Sequence, residues 1–322
     1  MKKRISVILI SALAIMLIAA CGGGTAAEPA LAPAPAAAPE PAPAPAPAVE
    51  ATPAPTQDEL ADEPADDFDF NRFIAVFTRE DGSGTRDAFV DATGVGDDMS
   101  VEAGVLTSTG AIRTAVAENE LAISYVSVGS LNDEVRAVAI DGVYPSDDTV
   151  RDGSFPLARR FLLAFTEETS ADPLVQDFLD FVLSAEGQEL LAGSWTPAIA
   201  SPASFESSDL SGSITISGST SVAPAMDLLA EAYVELNPNV QIDVMSTGTG
   251  TGLEQAATGV ADIGMASREL REGELENLDY VAILLDGVAV IVNVENPIQG
   301  LTMDQVREIF VEGTLRWSDV VS

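Results

Sequence analysis

From residue 72 onward, short apolar runs alternate with stretches whose apolar positions recur every three or four residues. That alternation of a two-residue and a 3.6-residue period predicts strands interleaved with amphipathic helices. Residues 73–78 read as a strand and 85–91 as the start of a helix. A second helix is predicted over 109–117, followed by strands at 121–126, 135–140 and 160–165 and one long amphipathic helix over 173–191. A polar, small-residue stretch, SPASFESSDLSG at 201–212, reads as a linker. The series then resumes with a strand at 214–216, a helix at 226–236, a strand at 240–245 and a helix at 253–258. Short apolar 261–265 precedes a long apolar strand, 281–293, interrupted at Asp286-Gly287. A last helix covers 302–310, capped by Thr302 with Asp304 in its first turn. The order predicts an α/β fold. Met226, Met245 and Met265 fall at core-like positions, as do Trp195 and Trp317.

The first 67 residues follow a different pattern. Residues 1–20 join Lys2, Lys3 and Arg4 to an apolar run ending in Ile18-Ala19-Ala20, the layout of a signal peptide. The run is short for a membrane span. Cys21, the one cysteine of the chain, follows directly. This resembles the lipobox of bacterial lipoproteins, which implies lipidation of Cys21 and attachment to a membrane; the alternative is an ordinary secretory signal with a stray cysteine. Alternating Pro and Ala from 21 onward cannot build a core, so 21–67 reads as an extended spacer with a solvated acidic end, Asp58 to Asp67.

Composition narrows the function. The chain has 51 Asp and Glu against 15 Lys and Arg, a net charge of −36. Such a field disfavours nucleic acid and anionic lipid surfaces. A small anion responds instead to its local pocket, because salt screens beyond roughly 8–10 Å. There is no histidine, which removes Ser-His-Asp and Cys-His catalysis and the commonest metal ligand. No cofactor or metal is implied, and the chain reads as a binding protein rather than an enzyme.

Three predicted strand-to-helix turns share one chemistry: GSGT at 82–85, SGSTS at 217–221 and STGTGTG at 246–252. Each sets backbone N–H groups and hydroxyls at a helix start, where unpaired donors and the helix dipole favour an anion. One such turn is what any capped helix shows; three, with Arg79 beside one of them, point to an anion cradle. The 248–252 run lacks the third glycine of a dinucleotide fingerprint. Ser83 has neither a G-x-S-x-G frame nor a histidine base.

Arg79-Glu80-Asp81-Gly82-Ser83-Gly84-Thr85-Arg86 resembles the diagnostic segment of the phosphate-binding proteins that serve high-affinity phosphate ABC transporters. So do ISGSTSVAPAMDLLAEAY, GTGTGLEQAATGVADIGMASREL, DGVAVIVNVENPIQGLT with IFVEGTLRWSDV, and LAISYVSVG with FLDFVLSAEGQELL. The segments cover nearly all of 72–322, but in an order that differs from the family's, where the GSTS segment comes first. The resemblance therefore implies a two-lobed periplasmic-binding-protein type II fold, circularly permuted, with the old ends joined through 201–212. One lobe would hold 68–150 plus 295–322 and carry GSGT; the other, 151–294, would carry GSTS and GTGTG.

The same resemblance implies the ligand contacts. Thr220, Ser221 and Thr249 would donate from one lobe, and Ser83, Gly84 and Thr85 from the other. Arg79 would supply the cation, oriented by Asp81. Ser219 and Arg268 stand as further ligand or lobe contacts, and Arg86 as a lobe–lobe partner. Well-known members carry an aspartate, which accepts the proton of hydrogen phosphate, at the position held here by Arg268. Asp286 is either its replacement or a solvated turn residue. The implied role is capture of inorganic phosphate outside the cytoplasm for an ABC permease. The alternatives are a receptor for another oxyanion, such as sulfate or molybdate, and a surface lipoprotein that senses or adheres.

Overall fold

The computed structural model describes residues 68–321, and the signal segment, Cys21 and the spacer to 67 lie outside the described residues. The first described stretch holds β1 (Ala75–Arg79), α1 (Gly84–Thr93), β2 (Gly104–Leu106), α2 (Thr109–Ala117), β3 (Ala122–Ser127), β4 (Val135–Ala137), β5 (Ala139–Ile140) and α3 (Asp147–Arg151). Next come β6 (Ala158–Phe165), α4 (Glu167–Ser170), α5 (Pro173–Leu183), α6 (Ala185–Leu191) and β7 (Thr196–Pro197). They are followed by β8 (Gly212–Gly218), α7 (Ala223–Leu236), β9 (Val240–Met245), α8 (Thr249–Ala257) and β10 (Ile263–Ala266). The chain closes with β11 (Asp279–Asn293), β12 (Gly300–Leu301), α9 (Met303–Glu312) and α10 (Trp317–Val320).

One mixed sheet runs β2-β1-β3-β11-β6-β10-β8-β9. Its pivot is β11, which pairs β6 antiparallel from Asp279 to Gly287 and then β3 from Val288 to Val292. Apolar side chains divide between two large cores accordingly. Phe89, Tyr125, Phe155, Leu157, Val288, Val290, Phe310 and Trp317 belong to one. Phe161, Phe178, Phe181, Leu229, Tyr233, Ile283 and Leu284 belong to the other. Packing therefore changes over between Leu157 and Phe161 and again between Leu284 and Val288, so two strands, β6 and β11, cross from one half of the molecule to the other. The segment leading into β1 bonds to the last described stretch: Ser318 N–H donates to Phe70 O (2.7 Å) and Ile74 N–H to Leu315 O (2.9 Å).

Three sequence expectations are corrected. The helix expected over 173–191 is broken at Ser184, whose hydroxyl accepts from Gly187 N–H (3.1 Å) and starts a new helix. A Cβ on Gly187 would overlap Phe181 O, so the two helices meet where only glycine fits. Strand β11 is continuous through Asp286-Gly287, because that is where it changes partner and the aspartate is buried rather than solvated. The 201–212 segment, read as a linker, has no helix or strand up to β8; Phe205 packs on Phe181 with ring centroids 5.2 Å apart, and its N–H donates to Glu186 (2.8 Å). Met226 and Met265 are buried, but Met245 is exposed at the end of edge strand β9.

Candidate functional site

Strand β1 delivers Arg79 to the boundary between the halves. Parallel neighbours β2 and β3 fix the strand, and its last residue is held from below: Arg79 N–H donates to the Tyr125 hydroxyl (3.3 Å), while Thr78 Oγ1 lies 2.7 Å from the same oxygen. Tyr125 stacks on Phe89 at 4.1 Å and is flanked by Phe310. Burial there pushes the Tyr125 hydroxyl up to about 12. The Arg79 guanidinium is 2 % exposed. Its Nε and Nη2 each donate to Glu80 at 2.8 Å, and Nη1 reaches Thr109 Oγ1 at 3.4 Å.

Four helix starts meet around it, α1 and α2 from one half and α7 and α8 from the other. Gly82 takes a positive φ of 85° to turn β1 into α1, and Ser83 caps that helix by accepting from Arg86 N–H. Ser108 caps α2 by accepting from Ala111 N–H. On the opposite side, Gly218 (φ 145°) ends β8 and Gly248 (φ 91°) opens α8. Side-chain oxygens bond across the boundary. Thr85 Oγ1 and Ser221 Oγ are 3.0 Å apart, and Thr109 Oγ1 lies 3.1 Å from Thr220 Oγ1 and 3.0 Å from Ser221 Oγ. Gly250 N–H donates to Gly82 O (2.9 Å). A Cβ on Gly84 would overlap Thr249 Oγ1 and stand 2.7 Å from Ser267 Oγ. The positive ends of four helices, their first-turn N–H groups and the hydroxyls of Thr85, Thr109, Thr220, Ser221, Thr249 and Ser267 thus gather near one buried guanidinium, which is the chemistry of an oxyanion site.

The structure brings Arg79, Gly84, Thr85, Ser219, Thr220, Ser221 and Thr249 into this one place; Ser83 is buried there too, its hydroxyl turned to its own helix. Asp81 does not orient Arg79. Its side chain is 93 % exposed and pairs with Arg86 at 2.8 Å, and the neighbouring Glu80 holds the guanidinium instead. Arg86 consequently pairs within its own turn. Arg268 lies outside the cradle. Its Nε donates to Asp87 (2.8 Å) and its Nη atoms to Glu274 (2.7 and 2.8 Å), while Arg271 reaches Asp87 at 2.9 Å. This network ties α1 to the segment after β10. Burial works to lower the Arg268 pKa, but the bonds to Glu274 and Asp87 outweigh it and move it up. Burial likewise opposes ionisation of Glu274, and Arg268 and Arg271 still hold it below the usual carboxylate range. Asp286 is buried on the crossing strand and accepts from Ser127 Oγ (2.8 Å), Gly129 N–H (3.3 Å) and Arg159 Nε (2.8 Å).

Sequence reasoning missed Thr109, Glu80 and Ser267. The signal for Thr109 was present, since LTSTG at 106–110 is a fourth strand-to-helix turn of small residues. An open pocket of about 440 Å³, lined by Glu80, Gly82, Thr107, Thr247 and Gly248, adjoins the cradle. A larger one, about 780 Å³ beside Arg136, Tyr144 and Asp147, contains none of the cradle residues.

With this geometry in view, the comparisons are specific. The family model for the PBP superfamily domain matches residues 66–186 and 203–322. The chain is 40 % identical over 256 residues to "Phosphate-binding protein PstS 2" of Streptococcus pneumoniae serotype 4, covering 77 % of this chain and 87 % of that protein. The crystal structure of a phosphate ABC transporter phosphate-binding protein from Streptococcus pneumoniae TIGR4 superposes with a TM-score of 0.65 at 38 % identity, over 77 % of this chain and all of that one. "Phosphate-binding protein PstS" of Pseudomonas aeruginosa is 33 % identical over 140 residues, 41 % of this chain and 43 % of that protein. The chain therefore belongs to the PBP superfamily and, within it, to the PstS phosphate-binding proteins.

Proposed function

We propose that the chain captures inorganic phosphate between its two halves, which act as lobes that open and close, and delivers it outside the cytoplasm to an ABC permease. Cys21, lipidated, would hold the protein at the outer face of the membrane, with 21–67 as tether. The reading rests on one observation above all: four helix starts from both halves meet one another through small residues, and Arg79 reaches one of them at Thr109. The printed names of the relatives agree with it. Arg79, Thr85, Thr109, Thr220, Ser221, Thr249 and the backbone at Ser83 and Gly84 would contact the anion, with Ser219 stiffening its turn by accepting from Ser221 N–H (3.2 Å). Charge-assisted bonds contribute about 1.5–3 kcal/mol each, so a few suffice for the ~8 kcal/mol of micromolar affinity. The work is binding and release, with no reacting group required.

A circular permutation relative to other members is supported by two observations. The Streptococcus pneumoniae relative matches along most of its length, whereas the Pseudomonas aeruginosa one matches over less than half. The first described residues also bond to the last helix, through Phe70 and Ser318. A second ligand reading, a broader oxyanion receptor, is favoured by the engagement of Asp286 with three donors. Calorimetric titration of the purified chain with phosphate and sulfate tests both. Phosphate binding that Arg79→Gln weakens at least about tenfold supports the proposal. Equal sulfate binding would favour the broader receptor, and no phosphate binding would sink the transport reading.

A further inference from the structure

Arg159, one residue into crossing strand β6, was not singled out by any sequence motif. Its side chain is 5 % exposed. Nε donates to Asp286 (2.8 Å) and Nη1 to the carbonyl of Ser267 (3.0 Å), while Nη2 is buried with no hydrogen-bond partner. The guanidinium carbon stands 5.1 Å over the Phe161 ring, which fixes its far side. Ser267, whose carbonyl receives Nη1, belongs to the cradle. Its hydroxyl is 3.5 Å from Thr249 Oγ1, its N–H donates to the same oxygen (3.3 Å), and it faces Gly84 across the boundary. Arg159 therefore sits at the back wall of the cradle. Burial lowers its pKa; Asp286 counters this, and the charge of Arg79 adds to the lowering.

A buried, unpaired guanidinium N–H forfeits its hydration unless something accepts from it. Asp286 does not: it accepts from Ser127, Gly129 and Arg159 Nε, and Nη2 makes no bond to it. On the reading that the cradle holds phosphate, we infer that Arg159, positioned by Asp286, is a second anion-contacting cation and that the pair selects the dianion. Arg79 with Glu80 and Arg159 with Asp286 form two guanidinium–carboxylate pairs, one on each side of the anion. Each carboxylate aims its arginine and trims its charge, leaving N–H groups as the recognising atoms. A doubly charged oxyanion gains more from the two guanidiniums, whereas the monoanion carries one more hydrogen, which faces donors and pairs with none of them. Asp286 is thus a positioning residue, not the proton acceptor that the family pattern places at Arg268.

The test is calorimetric titration of the full chain with inorganic phosphate across the pH range in which the monoanion becomes the dianion. The variants are Arg159→Gln and the double variant Arg159→Gln/Asp286→Asn. The double variant leaves neither buried charge unpaired, so it covers the case in which the single one fails to fold. The wild type should bind more tightly as the dianion forms. The variants should bind roughly tenfold to a hundredfold more weakly at high pH, with a flattened pH dependence. A purely structural role for Arg159 would lower affinity equally at every pH, and that result would overturn the inference, as would wild-type affinity and slope in the double variant. Failure of the wild type to bind phosphate at all would refute the parent reading separately.

Discussion

At the residue scale, the cradle depends on groups too small to fill the space where the halves meet. The nearest atoms a methyl at Gly84 would meet, those of Thr249 and Ser267, belong to the other half. Gly84→Ala should therefore leave melting of the unliganded chain little changed while weakening phosphate binding by about tenfold or more, a loss of ~1.4 kcal/mol of closure; paired calorimetry and thermal denaturation check this. Tyr125 makes a pH prediction. Its folded value, about 12, lies above the ordinary 10.0, so the neutral hydroxyl is favoured in the fold. That contribution is whole below pH 10 and is lost as pH rises towards 12. Melting temperature should fall through this window, and Tyr125→Phe should fall less steeply. Arg79 was legible in the sequence because a cation beside a Gly-Ser-Gly-Thr turn is conspicuous. Its carboxylate partner was not, because Glu80 and Asp81 are consecutive and only the path of the turn decides which one faces inward. Arg159 was illegible for a similar reason: within FPLARRFLLAF, nothing local distinguishes it from Arg160, which pairs with Glu269 at the surface.

At the element scale, periodicity located most strands and helices, since each has one face in a core. It failed where an element serves two environments. Strand β11 reads as interrupted because Asp286-Gly287 breaks an apolar run, yet the strand is unbroken and the polar residue marks its passage between partners β6 and β3. The 173–191 helix fails in the opposite sense: its apolar spacing continues through Ser184, and only the hydroxyl cap and the overlap at Gly187 reveal the break. Helix α8 illustrates how closely the turns are packed. A Cβ on Gly252 would overlap Gly218 Cα and Ser217 O of β8, both of them backbone. Alanine would gain up to about 1 kcal/mol of helix propensity, but overpacking against backbone costs about 1–3 kcal/mol. The net expectation for Gly252→Ala is a lower melting temperature, and an unchanged or raised one would contradict this packing account.

At the scale of the whole molecule, the two cores, the crossing strands and the Arg268–Asp87–Glu274 network describe halves that meet on the proposed anion cradle and are tied again beside it. The permutation reading makes a prediction at this scale. A chain opened within 201–212, with its present end joined to residue 68 by a short linker, should fold and bind phosphate within a few-fold of the wild type. Phe205 and its bond to Glu186 should stay on one side of the new opening, because that contact anchors the segment. Recovery of an unfolded or non-binding chain would count against the permutation. The order of the segments was legible only through their likeness to a family; hydrophobic pattern alone gives the same α/β alternation in either order. If one phosphate is held by both halves at once, a crystal structure of the protein grown with phosphate should show an anion within hydrogen-bond distance of Arg79 and of hydroxyls from both sides, Thr85 or Thr109 and Ser221 or Thr249. An anion contacting one half only, or seated in the larger pocket beside Arg136, would contradict it.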